Sequence, residues 1–422
     1  MIKNNQPKFK QTETPLRQDY EGQVGQIPED WEVMRLADSG VELIDGDRGN
    51  NYPNGSDFSK NDFCLFLNTK NVTGEKFDFS DCSFIAEEKD RQLRKGKLSR
   101  GDIVLTTRGT VGNIAFYDDS IKFENIRINS GMLIFRNVGD KFVTSYLYQI
   151  LKSPYIREQF KEFSSGSAQP QLPVNSLKHI RLIMPSIEEQ RKIAGVLGAL
   201  DEKIELNRKM NKTLEQIGQA IFKEWFADKD NANNWNMGLL GNIARQRKER
   251  LLSNEDNAVV LSAVNSGKLV RSDDFFDKRV YSKSIKNYKI VKQFDFAYNP
   301  SRINIGSIGM LEEDIVGAVS PVYEVVSPKR NYHYFLLMFL RLNNTKEIIK
   351  QFSSGSVRQA LSINSFLNIP VNIPPEDLIV KFNKFYSVLL EVIQENQTQI
   401  DILSQIRDSL LPRLMSGKLR VR

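Results

Sequence analysis

Phe163-Ser-Ser-Gly-Ser167 returns as Phe352-Ser-Ser-Gly-Ser356, 189 positions further on. The same displacement carries Asn175-Ser176 onto Asn364-Ser365, Pro185 onto Pro374, and Leu147 and Leu151 onto Leu336 and Leu340, with no gap. Solenoid units repeat every ~20–50 residues, so a period this long marks a duplicated domain. Two similar halves in one polypeptide tend to be related by a pseudo-twofold axis.

Outward from each copy of the turn, the order of elements is the same. Short β-like runs come first, at Ile103–Thr107, Asn113–Tyr117 and Met132–Arg136, then at Tyr288–Lys292, Phe294–Tyr298 and Val322–Val326. Gly101, Gly109, Gly112, Gly306 and Gly309 punctuate them as turn residues. An amphipathic helix follows, around Val143–Lys152 and Tyr332–Arg341, then the repeated turn, then an apolar strand closed by Pro185 or Pro374. Each half opens on a tryptophan, Trp31 or Trp235. The pattern predicts an α/β fold of two duplicated mixed α/β domains, without the regular βαβ alternation of a doubly wound sheet.

Each half then ends on a long helix. Ser186-Ile-Glu-Glu189 reads as a capping box, and Pro374-Pro375 with Glu376 and Asp377 opens the counterpart. In steps of seven the first helix carries Ile193, Leu200, Asn207, Leu214 and Ile221, and the second Phe382, Leu389, Asn396, Leu403 and Leu410. Ile204 and Ile393, with Ile217 and Ile406, supply the alternate seam positions. An apolar stripe of this kind is usually ordinary core. Two stripes interrupted by asparagine at the same heptad position predict an antiparallel coiled coil whose register Asn207 and Asn396 pin, with Leu200, Leu389, Leu214 and Leu403 as seam leucines.

Composition narrows the chemistry. The chain has 422 residues, enough for two or three domains, and a formal charge of +7. No apolar run reaches the ~18 residues of a membrane span and no secretory leader pattern is present, so a cytoplasmic protein is expected. Cys64 and Cys82 are the only cysteines and His179 and His333 the only histidines, which leaves no disulfide framework, no thiolate zinc cluster and little room for a histidine-based triad. Asn299-Pro300-Ser301-Arg302 has Ser and Arg where an amino-methyltransferase needs a proline and a base-stacking aromatic. No glycine-rich nucleotide loop follows a strand, and Arg108-Gly-Thr-Val-Gly112 lacks the Gly-Lys-Ser/Thr close.

Taken together, several stretches resemble the specificity subunit of type I restriction-modification enzymes. They are Gly25-x-Ile-Pro-x-x-Trp31-Glu-Val; Gly166-Ser-Ala-Gln169; Pro185-x-x-x-Glu189-Gln190-x-x-Ile193-Ala; Leu200-Asp201-x-Lys203-Ile204-Glu-Leu-Asn207; Ile221-Phe222-x-x-Trp225-Phe226; Asp295-Phe-Ala-Tyr-Asn-Pro300; Gly306-Ser-Ile-Gly309; Gly355-Ser356-x-x-Gln359; and Leu410-Leu-Pro-x-Leu-Met-Ser-Gly417-Lys-Leu. The second helix departs from the pattern, with Leu378-Ile-Val-Lys-Phe382 in place of the Glu-Gln-x-x-Ile start.

The resemblance implies an N-terminal segment (residues 1–30), a first target recognition domain (31–185), a central spacer helix (186–226), a second recognition domain (227–374) and a C-terminal spacer helix (375–422). Each recognition domain would contact one half of a bipartite, asymmetric site in double-stranded DNA. The helices would set the spacing and dock two methyltransferase subunits, and restriction subunits would join them. Such a chain is not itself an enzyme and holds no cofactor or metal; S-adenosylmethionine, ATP and magnesium belong to the partner subunits. A specificity subunit of an orphan methyltransferase without a nuclease partner, a scaffold with one DNA-reading half, and a self-contained methylase or nuclease stand as alternatives.

The residues that hydrogen-bond base edges are Arg to guanine and Asn or Gln to adenine. Loops at matched places offer Arg108, Thr110 and Asn113 against Arg302 and Asn304, and Gln169 against Arg358 and Gln359. Gln169 and Gln359 read equally well as local caps. Lys278, Arg279, Lys283, Lys286, Lys289 and Lys292 form a basic stretch without an acid, of which Lys283, Lys286 and Lys289 are candidates for phosphate; Arg91, Arg94, Lys95, Lys97 and Arg100 form another. Both stretches also fit a solvated surface.

Overall fold

The structure, a computed structural model, describes residues 9–11, 26–74, 76–166, 170–227, 235–253, 258–264, 267–275, 281–353 and 360–421. Gln169, Lys278, Arg279, Arg358 and Gln359 lie outside them. The chain forms two compact units, Met1–Leu206 with Gln399–Arg422, and Asn207–Thr398.

In the first unit the aliphatic run Ile103–Thr106 sits inside a four-stranded antiparallel sheet, ordered Ile114–Phe116, Ile103–Thr106, Met132–Asn137, Val41–Asp45. Every residue of Ile103–Thr106 is buried because both faces of the sheet are covered. Side chains alternate along a strand. Ile103, Leu105, Leu133 and Phe135 therefore face a core shared with the helices Thr144–Lys152 and Pro154–Phe163. Val104, Met132 and Ile134 face the other way, onto a second sheet ordered Ile126–Ile128, Cys64–Leu67, Phe84–Ile85. Strand Arg181–Met184 returns antiparallel to Glu32–Arg35, beside the buried Trp31.

The second unit repeats this plan with different surfaces. Its antiparallel sheet runs Ile308–Met310, Phe296–Tyr298, Glu324–Pro328, Ala244–Gln246, the same order as in the first unit. Helices His333–Arg341 and Asn343–Phe352 follow, each 189 residues behind its counterpart. Strand Pro370–Ile373 pairs with Asn236–Leu239. Asp102 and Asp295 mark the same sheet corner. Asp102 accepts the Ser99 N–H (2.7 Å) and is held by Arg136; Asp295 accepts the Lys292 N–H (2.8 Å) and is held by Arg247. The carboxylate recurs, and its arginine comes from a different strand neighbourhood.

The two long helices are Ile187–Phe222, continued by a π turn at Lys223–Ala227, and Glu376–Met415. Each compact unit contains part of both. At the first helix start, the Glu189 N–H donates to Ser186 Oγ (3.3 Å), but the Glu189 carboxylate accepts from Trp31 Nε1 (3.0 Å) and Arg420 Nε (2.6 Å). The expected capping box is thus half made. Its carboxylate ties the N-terminal strand segment to the C-terminal tail instead.

Within the second unit the helices run antiparallel, with Asn211 beside Asn396 and Gly218 beside Tyr386. Asn207 and Asn396 are both buried, but the amide bonded to Asn396 is that of Asn211, one turn beyond Asn207. Ile217 and Ile406 are exposed rather than seam positions, whereas Ile204 and Leu389 are buried and Leu200, Leu214, Ile393 and Leu403 half-buried. The cause is geometric. Ile217 and Ile406 each lie 13 residues beyond Ile204 and Ile393, one short of two heptads, whereas steps of seven from Ile204 reach Asn211 and the buried Gly218.

Candidate nucleic-acid interface

Strand Ile103–Thr106 runs out into a loop whose backbone is tightly held. Gly109 and Gly112 take φ of 74° and 94°, a region that suits glycine. The Thr107 and Arg108 N–H groups both donate to Gly131 O (2.8 and 3.2 Å), and the Thr106 hydroxyl donates to Thr110 O. The loop leaves Thr110 exposed and Arg108 half-buried, with its guanidinium making no hydrogen bond or ion pair to the described residues. Asn113 is different. Its side-chain amide donates to Val72 O (3.0 Å), so it braces the loop and is not an open reader.

The loop around the repeated turn lies against this one. Gln171 bridges to both Ser165 and Arg108, and the Leu172 N–H donates to Thr107 O (3.0 Å). In the second unit the Leu361 N–H donates to Pro300 O (3.1 Å). Leu361 stands 189 residues after Leu172, so one hydrogen bond joins the corresponding pair of loops in both units. There the outer loop is a turn in which Asn299 Oδ1 accepts the Ser301 N–H (3.1 Å), followed by a 3-10 turn at Ile303–Ile305. Arg302 and Asn304 are exposed on it, and the Arg302 guanidinium has no partner among the described residues.

Lys289 must be corrected. It is buried, its ammonium pairs with Glu324 at 2.9 Å and donates to Tyr323 O, and it cannot reach a phosphate. It falls on strand Lys289–Val291 with its side chain directed into the fold, a position that the run of basic residues concealed. Lys283 is exposed, and Lys292 pairs with Glu249.

The basic cluster of the first unit is sorted in the same way. Arg91 pairs with Glu87, Lys97 with Asp90, and Arg100 lies over the Tyr117 ring with a bond to Asp118 O. Arg94 and Lys95 point outward from a rigid loop. Two buried groups hold it: Arg127, paired with Asp90 at 2.5 Å and donating to the Leu93 and Lys95 carbonyls, and Asp47, which accepts the Arg94 N–H at 2.6 Å. Burial works to raise the Asp47 pKa, but the backbone N–H groups of Gly49, Arg94, Lys95 and Arg48 outweigh it and keep the carboxylate below its ordinary value. Sequence reading missed Arg48, which pairs with Asp45 and donates to Ser130 O (3.3 Å), next to the Gly131 that carries Arg108. Among the described residues no cluster of His, Cys, Asp and Glu could hold a metal ion, and no helix is long and apolar enough to cross a membrane.

Comparison with known proteins places this arrangement. The model of the type I restriction modification DNA specificity domain matches residues 28–216. The MjaIX type I restriction enzyme specificity subunit of Methanocaldococcus jannaschii is 28% identical, over 95% of this chain and 96% of its own. Along nearly its whole length the chain is thus similar to type I restriction enzyme specificity subunits. A HindI specificity subunit from Haemophilus influenzae is 30% identical over 48% of this chain and 42% of its own. The fold is that of the solved S subunit from M. genitalium, with a TM-score of 0.56 at 15% identity, covering 91% of this chain and 96% of that one.

Several residues that carry the resemblance are structural in this chain. Gln190 accepts the Val143 N–H (2.8 Å) and donates to Lys141 O and Pro185 O (both 3.0 Å), which fastens the helix start to the preceding loop. Gly417 has a φ of 68°, and its Cα lies against Pro28 and Trp31, where any side chain would collide.

Proposed function

We propose that this chain is the DNA sequence-specificity subunit of a type I restriction-modification complex, and that each compact unit reads one half of a bipartite, asymmetric site in double-stranded DNA. The observation that carries this is the pair of loops joined by the same hydrogen bond in both units, Leu172 to Thr107 and Leu361 to Pro300, while the side chains displayed differ. A common frame with different readers suits two unlike half-sites. Arg108 with Thr110 and Arg302 with Asn304 are the base readers, since an arginine fork on guanine is worth ~1–3 kcal/mol of discrimination. Lys283, Arg94, Lys95 and Arg48 neutralise phosphates, which position the duplex without specifying it.

The long helices link the two readers and dock two methyltransferase subunits, with restriction subunits joining the assembly. The Ile187–Phe222 helix has 36 residues, about 54 Å at 1.5 Å per residue, which exceeds the ~34 Å of one duplex turn. The chain itself does no chemistry; S-adenosylmethionine, ATP and magnesium are held by its partners. Sequencing the methylome of a host with and without this gene tests the reading. A two-part N6-methyladenine motif that disappears with the gene supports it, and an unchanged methylome contradicts it.

A further inference from the structure

Two polar pairs between the long helices are made in the observed alignment and would be broken by a slide. In the second unit, Asn396 Nδ2 donates to Asn211 Oδ1 at 2.8 Å and Asn211 Nδ2 donates to Ile393 O at 3.2 Å. In the first, Arg407 Nη1 donates to Asp201 at 3.1 Å, and Asp201 also receives Lys152 at 2.8 Å and Gln149 at 2.9 Å. Asp201 and Asn211 are ten residues apart on one helix, and Asn396 and Arg407 eleven apart on the other.

We propose that Asn211–Asn396 and Asp201–Arg407 form a two-point register lock, which confines the chain to one length of spacer between its half-sites. The proposal rests on the specificity-subunit reading above.

Coiled coils can slide by a heptad while keeping their apolar seam, and buried polar pairs select one register at some cost in stability. Here a slide in one direction would set Asn396 against Ile204 and Arg407 against Ala194. In the other it would set Asn396 against Gly218 and Arg407 against Arg208. Each slipped state buries an amide without a partner, and one also opposes two guanidinium groups. Gly218 adds a steric notch, since a Cβ built there would lie 2.9 Å from the Tyr386 ring. The 189-residue repeat does not preserve the lock: the counterpart of Asn211 is Ile400 and that of Asp201 is Leu390. Both pairs therefore stand outside the symmetric frame that the duplication supplies.

The test replaces Asn211, Asn396 and Arg407 with leucine in the full chain. Asp201 keeps Lys152 and Gln149, and leucine suits a seam, so folding should persist; circular dichroism checks this. Should the triple variant not fold, the Asn211→Leu/Asn396→Leu pair retains the Arg407 contact. Spin labels at the exposed positions Lys212 and Glu395 report the register directly. The lock predicts one narrow distance in the parent and a broadened or second population in the variant, displaced along the helix by ~10 Å, seven residues at 1.5 Å each. With the cognate methyltransferase subunits, the parent should modify sites of one spacer length and the variant sites one to three base pairs longer or shorter as well. A single unchanged distance, or an unchanged single spacer in a variant whose distances have broadened, overturns the proposal. A parent that modifies no two-part site would instead count against the functional reading, and the label distances alone would then decide the lock.

Discussion

Replacing Asp201 with leucine should be among the most destabilising single changes in the first unit. The Lys152 ammonium is almost fully buried and lies 2.8 Å from this carboxylate. Gln149, also buried, donates to the same carboxylate, and the half-buried Arg407 donates to its other oxygen. Removing one partner of a buried ion pair costs about 3–5 kcal/mol, because the remaining charge keeps its desolvation penalty and loses its counterion. At 1.36 kcal/mol per factor of ten, amides in helix Thr144–Lys152 that exchange by opening of this unit should exchange roughly 10²- to 10⁴-fold faster. Hydrogen exchange read by mass spectrometry resolves that helix from the second unit, which a single melting curve would not. The double variant Lys152→Met/Asp201→Leu should recover all but ~2 kcal/mol, since an apolar pair of similar volume often replaces a buried ion pair at little cost. The pH dependence has a definite sign. Burial tends to raise the Asp201 pKa, but the Lys152 charge and the hydrogen bonds from Gln149, Lys152 and Arg407 prevail and hold it below 3.8. A depressed carboxylate contributes stability above its unfolded pKa and loses it as pH falls through the folded one. The parent should therefore lose protection below about pH 4, and Asp201→Asn should flatten that loss. Protection in Asp201→Leu within a factor of about 5 of the parent, equivalent to ~1 kcal/mol, would refute the buried-pair reasoning.

Two further outcomes follow from the second unit. Lys283→Ala should leave stability unchanged and lower the slope of log affinity against log salt by about 0.9, the contribution of one phosphate contact. Lys289→Met should leave that slope alone, because the buried Lys289 pairs with Glu324; titrations of DNA binding at several salt concentrations separate the two. His333, stacked on Phe294 with centroids 4.0 Å apart, has its pKa pushed down to about 4 by burial. Its unfolded form takes up a proton near pH 6.5, so the second unit should lose stability as pH falls from about 6.5 towards 4, and an NMR titration should find the ring neutral at pH 5.5.

The repeat made much of the fold legible. The strands around Ile103, Met132 and Phe296 and the helices at Thr144 and His333 fall where glycine punctuation and apolar periodicity placed them, because in each case local pattern and burial agree. The seam was read less well. Ile217 and Ile406 were read as seam positions, but each lies 13 residues from Ile204 or Ile393, one short of two heptads, and a strict step of seven from Ile204 reaches Asn211 and Gly218 instead. The partner of Asn396 was misplaced by one turn, because Asn211 lies on the Ile204 row of the helix and Asn207 on the Ile193 row. At the candidate interface, residue type alone could not separate Lys283 from Lys289, six residues apart, since only strand register decides which one faces the interior. Arg48 and the Asp47 brace beneath Arg94 depend on contacts spanning more than forty residues, and no local pattern announces those.

The central claim is that two different readers sit on one duplicated frame. Methylome sequencing of hosts carrying Arg108→Ala or Arg302→Ala, each with the partner subunits intact, tests it most directly. Loss of one arginine–guanine contact at ~1–3 kcal/mol should relax modification about 10- to 100-fold at one position. The account predicts that Arg108→Ala degrades one half of the motif and Arg302→Ala only the other, with the spacer unchanged. If either substitution altered both halves, or both substitutions altered the same half, the assignment of one reader to each half-site would be contradicted.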